Sequence, residues 1–306
     1  MKTQQNILIF LLLLLTTYGF SANVPDTALI KAHLRAITKT KQFRTYQNID
    51  QLNQTADYIQ GIFRQYSDSV FVQEYKVNGQ TYKNVICSFG TEHKKRVIVG
   101  AHYDVCGKQE GADDNASGIV GLLELSRLLK GQKLNYRIDL VAYSLEEPPY
   151  FRTEAMGSYI HAKSLVDKKI DVYGMISIEM IGYFTDEKKS QSYPVGFLSL
   201  FYGNKGNYIT LVKKLGAGKF ARKFSRKYKA SKSIRTKQFA APPALEGIDF
   251  SDHLNYWKFG ISALMLTDTS FYRNHNYHEP TDTMETLNIP KMSQVIQGVF
   301  VTLVSL

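Results

Sequence analysis

The chain has 306 residues, 44% of them hydrophobic and 21% charged. That is enough for one large domain or two modest ones with a full core, and it excludes a disordered chain. The net charge of +11 comes from one stretch: Lys213 to Lys237 holds eleven basic residues and no acid, leaving 27 Lys and Arg against 27 Asp and Glu elsewhere, so nucleic-acid binding is not expected.

Met1 to Ala22 reads as a signal peptide. Lys2 precedes an unbroken apolar run, Ile7 to Leu15, and small residues follow at Gly19, Ser21 and Ala22. The run is short for a spanning helix. A secreted or periplasmic location is expected, with residues 23–306 forming one catalytic domain.

Helices are expected over Thr27 to Thr38, capped by Asp26, and Gln51 to Gln65. A hairpin follows, Val70 to Val77 and Thr81 to Phe89, joined by Asn78-Gly79. Strands and helices then alternate: Val97 to Ala101, Ser117 to Leu129, Ile138 to Tyr143, Thr153 to Leu165, Tyr173 to Ile178, and a helical region from Asn207 to Lys229. A helix at Asp252 to Lys258, a strand at Ile261 to Thr267, a long loop and a helix from Pro290 close the chain. This alternation predicts a single-domain α/β fold, a mainly parallel sheet with helices on both faces. Phe220, Phe224 and Tyr228 recur at helical spacing opposite Lys219, Arg222, Arg226 and Lys229, a solvated basic face with a polyanion or membrane-surface contact as the secondary reading. Cys87 and Cys106 are compatible with one disulfide or two thiols.

Chemistry-bearing residues follow the apolar runs, where open α/β sheets place their sites. His102 and Asp104 stand two apart after a strand, so one can bind metal while the other orients it. Gly111 to Gly118 puts Asp113 and Asp114 in a tight turn before an apolar helix; two acids and an Asn exceed what a cap requires. Glu146-Glu147 precede two prolines, and adjacent carboxylates can divide metal binding from general-base work. Glu179 ends a buried strand, where an unpaired carboxylate is costly. His278 lies in the loop beyond the last strand. Together these residues supply four terminal ligands and a bridge for a pair of zinc ions.

The ordered set, Gly100 to Asp104, Gly111 to Gly118, Glu146 to Pro149, and Tyr277-His278 ahead of Asp282-Thr283, resembles the bacterial co-catalytic zinc aminopeptidases, from about Tyr82 to the C-terminus. Their superfamily also holds glutamate carboxypeptidases, transferrin-receptor ectodomains and glutaminyl cyclases. The resemblance implies the zinc-exopeptidase (phosphorylase/hydrolase-like) fold, two zincs per chain and a peptide substrate cut at its first bond. It implies Asp114 as the bridge, His102 and Glu179 on one metal, and Glu147 and His278 on the other. Glu146 would be the base that activates the bridging water, Asp104 the partner of His102, and Tyr277 a donor to the oxyanion. It also implies a cis peptide at Asp114-Asn115. Glu179 departs from the pattern, since the best-known members carry Asp. The alternatives on this fold are a one-zinc glutaminyl cyclase, a carboxypeptidase, and a binding ectodomain without catalysis.

Overall fold

The computed structural model describes residues 23–306. The expected signal peptide lies outside the described residues. The chain runs α1 (Thr27–Thr38), α2 (Ile49–Tyr66), β1 (Ser69–Val77), β2 (Gln80–Phe89), β3 (Arg96–His102), α3 (Gly118–Leu129), β4 (Arg137–Tyr143), α4 (Gly157–Asp167) and β5 (Val172–Glu179). It continues with β6 (Ile209–Lys214), α5 (Gly218–Ser231), β7 (Thr236–Ala241), α6 (His253–Lys258), β8 (Ala263–Thr267) and α7 (Ile289–Ser305). One eight-stranded sheet in the order β1-β2-β4-β3-β5-β8-β6-β7 forms the centre. Its middle, β4-β3-β5-β8, is parallel, and antiparallel pairs join β2 to β4 and β6 to β8.

Period-two side-chain alternation sorts the sheet into two layers. Val97, Val99 and Ala101 on β3, and Ile176 and Ile178 on β5, face the larger core with α1, α2, α3, α5 and α7. Ile98, Met175 and Met265 point the other way, toward Ala162 and Leu165 of α4 and Tyr256 and Trp257 of α6. Asp26 caps α1 through the amides of Ala28 and Leu29. Asn78 (φ 51°) and Gly79 (φ 80°) are both left-handed, as a two-residue hairpin turn between twisted strands requires. Among the described residues, no helix is long and apolar enough to cross a membrane.

Three expectations need correction. The region from Asn207 is not all helix: Ile209 to Lys214 is a strand that pairs with β8, and only Gly218–Ser231 is helical. Strand β7 was not anticipated, because its partly exposed, Lys-containing sequence at the sheet edge lacks apolar alternation. Helix α4 begins at Gly157, since the preceding residues turn around Pro148 and Pro149. Phe220, Phe224 and Tyr228 are buried as the periodicity predicts, with Lys219, Arg222, Arg226 and Lys229 exposed. Both cysteines are free thiols, Cys87 in the core of β2 and Cys106 in the loop after β3, with β4 between those strands.

One buried cation fixes the loop that leads from β3 into the acidic turn. Arg44 is 1% exposed. Its guanidinium donates to the carbonyls of Ile37, Tyr103, Glu110 and Gly111 at 2.8–3.1 Å, which ties the end of α1 to both ends of residues 103–111. Burial lowers its pKa to about 10, opposed by Asp282, Asp104 and Asp114, so it remains charged at neutral pH. Arg44→Met would leave four carbonyls short of a donor. The variant should lose about 3 kcal/mol or more in urea unfolding, and a midpoint unchanged from the parent would show that the clamp is energetically idle.

Candidate active site

The parallel strands end together, and the side chains just past their carboxyl ends converge. His102 is the last residue of β3 and Glu179 the last of β5; Glu146 and Glu147 follow β4 after a short turn. His278 arrives from the long loop beyond β8. Asp114 comes from the turn between β3 and α3, where Asp114 (φ −103°, ψ 96°) and Asn115 (φ −128°, ψ 39°) leave helical geometry and their peptide is cis, as expected. Gly111 enters that turn left-handed (φ 57°), and a Cβ there would run into the Asp114 carbonyl.

Asp114 sits between two nitrogen-carboxylate groups. Its Oδ1 lies 3.2 Å from His102 Nε2, which is 3.5 Å from Glu179 Oε1. Its Oδ2 lies 3.2 Å from His278 Nε2, which is 3.2 Å from Glu147 Oε2. Each oxygen of one carboxylate thus serves a separate half-site. Glu146 belongs to neither inner set, with Oε2 3.8 Å from His102 Nε2. Tyr277 stacks on the His278 ring at 3.8 Å between centroids and lines the same cavity. With Asp104 beside His102, all eight residues to which the resemblance gave a role meet in one place.

Asp104 does more than the sequence suggests. The His102 Nδ1 lies 3.2 Å from the Asp104 backbone carbonyl and 3.5 Å from its carboxylate. That carboxylate accepts the amides of Glu146 and Glu147 at 3.2 and 3.0 Å, so one acid orients both the imidazole and the glutamate pair. Asp282 acts alike from the other side, accepting the amides of Asp113 and Asp114. Asp113 turns away, accepting from Gly182 N and Asn274 Nδ2. Glu179 accommodates its extra methylene by anchoring Oε2 on Ser251 Oγ (2.7 Å) and Asn115 Nδ2 (3.3 Å), which leaves Oε1 for His102. Ser251 and the fully buried Asp252 carried no sequence signal beyond that of a helix start.

So many acids out of water disturb one another. Burial raises Glu147 to about 8, with Asp114 adding to the rise and His278 opposing it. Burial likewise pushes Glu146 well up and raises Asp252 to about 7, against the attraction of His102. The imidazoles go up for the opposite reason: burial alone would lower His278, but the close carboxylates of Asp114 and Glu147 raise it to about 10. His102 rises as well, burial being overcome by Glu179 and Glu146. Asp114, despite burial, is held well below the usual range by both histidines.

Beside the cluster opens a cavity of about 340 Å³, with Glu146, Glu147 and Tyr277 at its polar end and Phe151, Tyr208, Val212, Phe239, Met265 and Phe271 among its other walls.

Residues 84–303 match the model of Peptidase family M28. An uncharacterized protein of Escherichia coli (strain K12), YfbL, is 41% identical over 278 residues, 88% of this chain and 85% of its own length. Among solved structures, the Legionella pneumophila LapA aminopeptidase superposes with a TM-score of 0.71 at 18% identity, over 90% of this chain and 70% of that one. A Bacteroides thetaiotaomicron glutaminyl cyclase bound to N-acetylhistamine gives 0.68 at 19%, over 92% and 99%. Both likenesses establish the zinc-exopeptidase fold.

The protonation pattern has a measurable consequence in chelator-treated protein. Glu147 at about 8 and Asp282 at about 8 keep protons in the folded state that the unfolded chain releases near pH 4; His278 at about 10 keeps one released near 6.5. Buried His161 and His253, lowered to about 4, pull the other way below about 6.5, and Lys237, lowered to about 8, does so above 8. Between roughly pH 6.5 and 8 the folded state binds more protons through Glu147, Asp282 and His278, so stability falls as pH rises across that window. Depressed Asp114 works in the other direction only in stronger acid. Urea midpoints of the chelated protein should drop from roughly pH 6.5 to pH 8; a rise would contradict these proton assignments.

Proposed function

The chain belongs to peptidase family M28, and on that premise we propose that it is a two-zinc aminopeptidase that removes the first residue of a peptide. The family makes it a metallopeptidase. The observation that carries the finer reading is Asp114, whose two oxygens each lie 3.2 Å from a different imidazole. A single-metal enzyme needs no such bridge.

The donor set suits zinc. His102 Nε2, His278 Nε2 and Glu147 Oε1 are buried atoms without hydrogen-bond partners, and neutral imidazole nitrogen and carboxylate oxygen are the ligand types zinc takes. His102, Glu179 and one oxygen of Asp114 would hold one ion; Glu147, His278 and the other oxygen would hold the second. Bound zinc supplies Lewis acidity, polarising the scissile carbonyl and lowering the pKa of water.

The chain's own residues do the rest. Glu146 stands beside the ligand Glu147 without being needed for coordination, and we assign it the proton transfers: its carboxylate takes a proton from the attacking water and delivers it to the leaving amine. Burial raises its pKa, the direction that makes a carboxylate a better base. Asp104 holds the glutamate backbone and His102 in register. Tyr277 stacks on His278 at the cavity's polar end, where we place its hydroxyl as a donor to the tetrahedral oxyanion. The apolar cavity would take the side chain of the first residue, and its aromatic walls favour large apolar groups over charged ones. Export by way of residues 1–22 belongs to the same proposal.

Glu146→Gln should retain two zincs by elemental analysis and lose on the order of 10²–10⁴-fold in kcat. Glu147→Gln should instead bind the second zinc weakly. Equal metal loss in the two variants would invert these roles.

Products distinguish this reaction from cyclisation. A Leu-initiated and a Phe-initiated peptide should each lose one whole residue, and N-acetylation should block the loss. With a polar Asp- or Lys-initiated peptide, kcat/KM should fall on the order of 10-fold or more, the worth of burying a large apolar side chain. Loss of ammonia from a Gln-initiated peptide, with the others intact, would identify a cyclase instead.

A further inference from the structure

Cys106 Sγ, a carboxylate oxygen of Glu147 and a ring nitrogen of His278 lie within 4.8 Å of one another. Ligand atoms around a tetrahedral zinc sit roughly 3.3–3.8 Å apart given bonds of about 2.0–2.3 Å, so small side-chain adjustments close this set on one ion. Glu147 is nearly fully buried, and its Oε1 has no hydrogen-bond partner. We infer that Cys106 is a fourth protein ligand to the metal on the His278 side, a reading that rests on the two-metal proposal above.

Three further observations support it. The loop that carries Cys106 is held at both ends by the buried Arg44 guanidinium, and the neighbouring Val105 amide donates to the Arg44 carbonyl at 3.1 Å, so the backbone that bears the sulfur is fixed. Cys106 is only partly buried, which leaves an ion a way in. Cys87, by contrast, is sealed in the core of β2 and cannot compete.

The two half-sites would then differ in kind. His102, Glu179 and Asp114 offer nitrogen and oxygen alone; His278, Glu147, Asp114 and Cys106 add a soft thiolate. As the sulfur-metal bond forms, the thiol proton is released to solvent. Four protein ligands close a zinc site in the manner of structural rather than catalytic centres, so the His278-side ion would be the tighter-held of the two, and most of the Lewis-acid work would fall to the His102 side.

Cobalt(II) tests this without relying on turnover. The chelated full-length protein should take up two cobalt ions, with visible d–d bands and a near-ultraviolet thiolate-to-cobalt charge-transfer band appearing with one of them. Cys106→Ser should abolish the charge-transfer band, keep the d–d bands and weaken the affinity for one zinc on the order of tenfold or more. Cys87→Ser should keep the band. Two bound cobalt ions without a charge-transfer band in the parent protein, or a band that survives Cys106→Ser, would overturn the inference while sparing the two-metal reading. A single cobalt with the band intact would support the ligand and sink the two-metal reading. Failure to bind cobalt would sink both.

Discussion

Concentrated negative charge out of water is the constraint around which this molecule is arranged. Asp104, Asp113, Asp114, Glu146, Glu147, Glu179, Asp252, Asp268 and Asp282 are each at most 7% exposed, and they share one end of one sheet. Burying a single carboxylate is expensive, and burying several side by side more so. The tolerable solutions are neutralisation by protons, which the raised pKa values express, or by multivalent cations. The pair of dications proposed at Asp114 would remove most of the mutual repulsion at once, which supports reading the cluster as a metal receptor rather than an array of ion pairs.

The scaffold carries its share through backbone amides. Asp282 accepts two from the acidic turn, Asp104 two from the glutamate pair, and Asp113 one from Gly182. Asp282 and Asp104 thus pin the segments that carry Asp114 and the glutamate pair. The backbone pays for this precision locally: Leu145, Met180 and His278, at or next to inner residues, have φ values of 61°, 50° and 59°, where side chains are disfavoured by about 1–3 kcal/mol. At these three positions the chain turns sharply to bring neighbouring side chains to one point.

Most of the inner residues were legible because each ends or follows a short buried strand, and a charged group at such a position has few structural uses. His102, Glu146, Glu147 and Glu179 could be read for that reason, whereas Asp114, in a turn, and His278, in a long loop, took their roles from the resemblance of the ordered set. What supports them was not. Ser251 and Arg44 act through hydrogen bonds made across long stretches of sequence, and nothing in their neighbourhoods sets them apart. Cys106 showed only as one of two thiols, since its distance to Glu147 and His278 is a property of the loop's path. Strands β6 and β7 were hidden for another reason: the strong 3.6-residue repeat of α5 between them dominated a short apolar run on one side and a half-exposed edge on the other.

The order of the inner residues along the chain also dictates when the site can exist. His102 comes early and His278 close to the last helix, with the third of the parallel strands contributing nothing until Glu179. Contacts this distant in sequence form late and slowly, because a long loop must close before any of them is rewarded. A nascent chain that has not yet produced residue 278 has no second imidazole for Asp114 to face. Such a precursor would be incompetent for metal-assisted hydrolysis until synthesis and folding were nearly finished, so the order of assembly itself guards against premature activity.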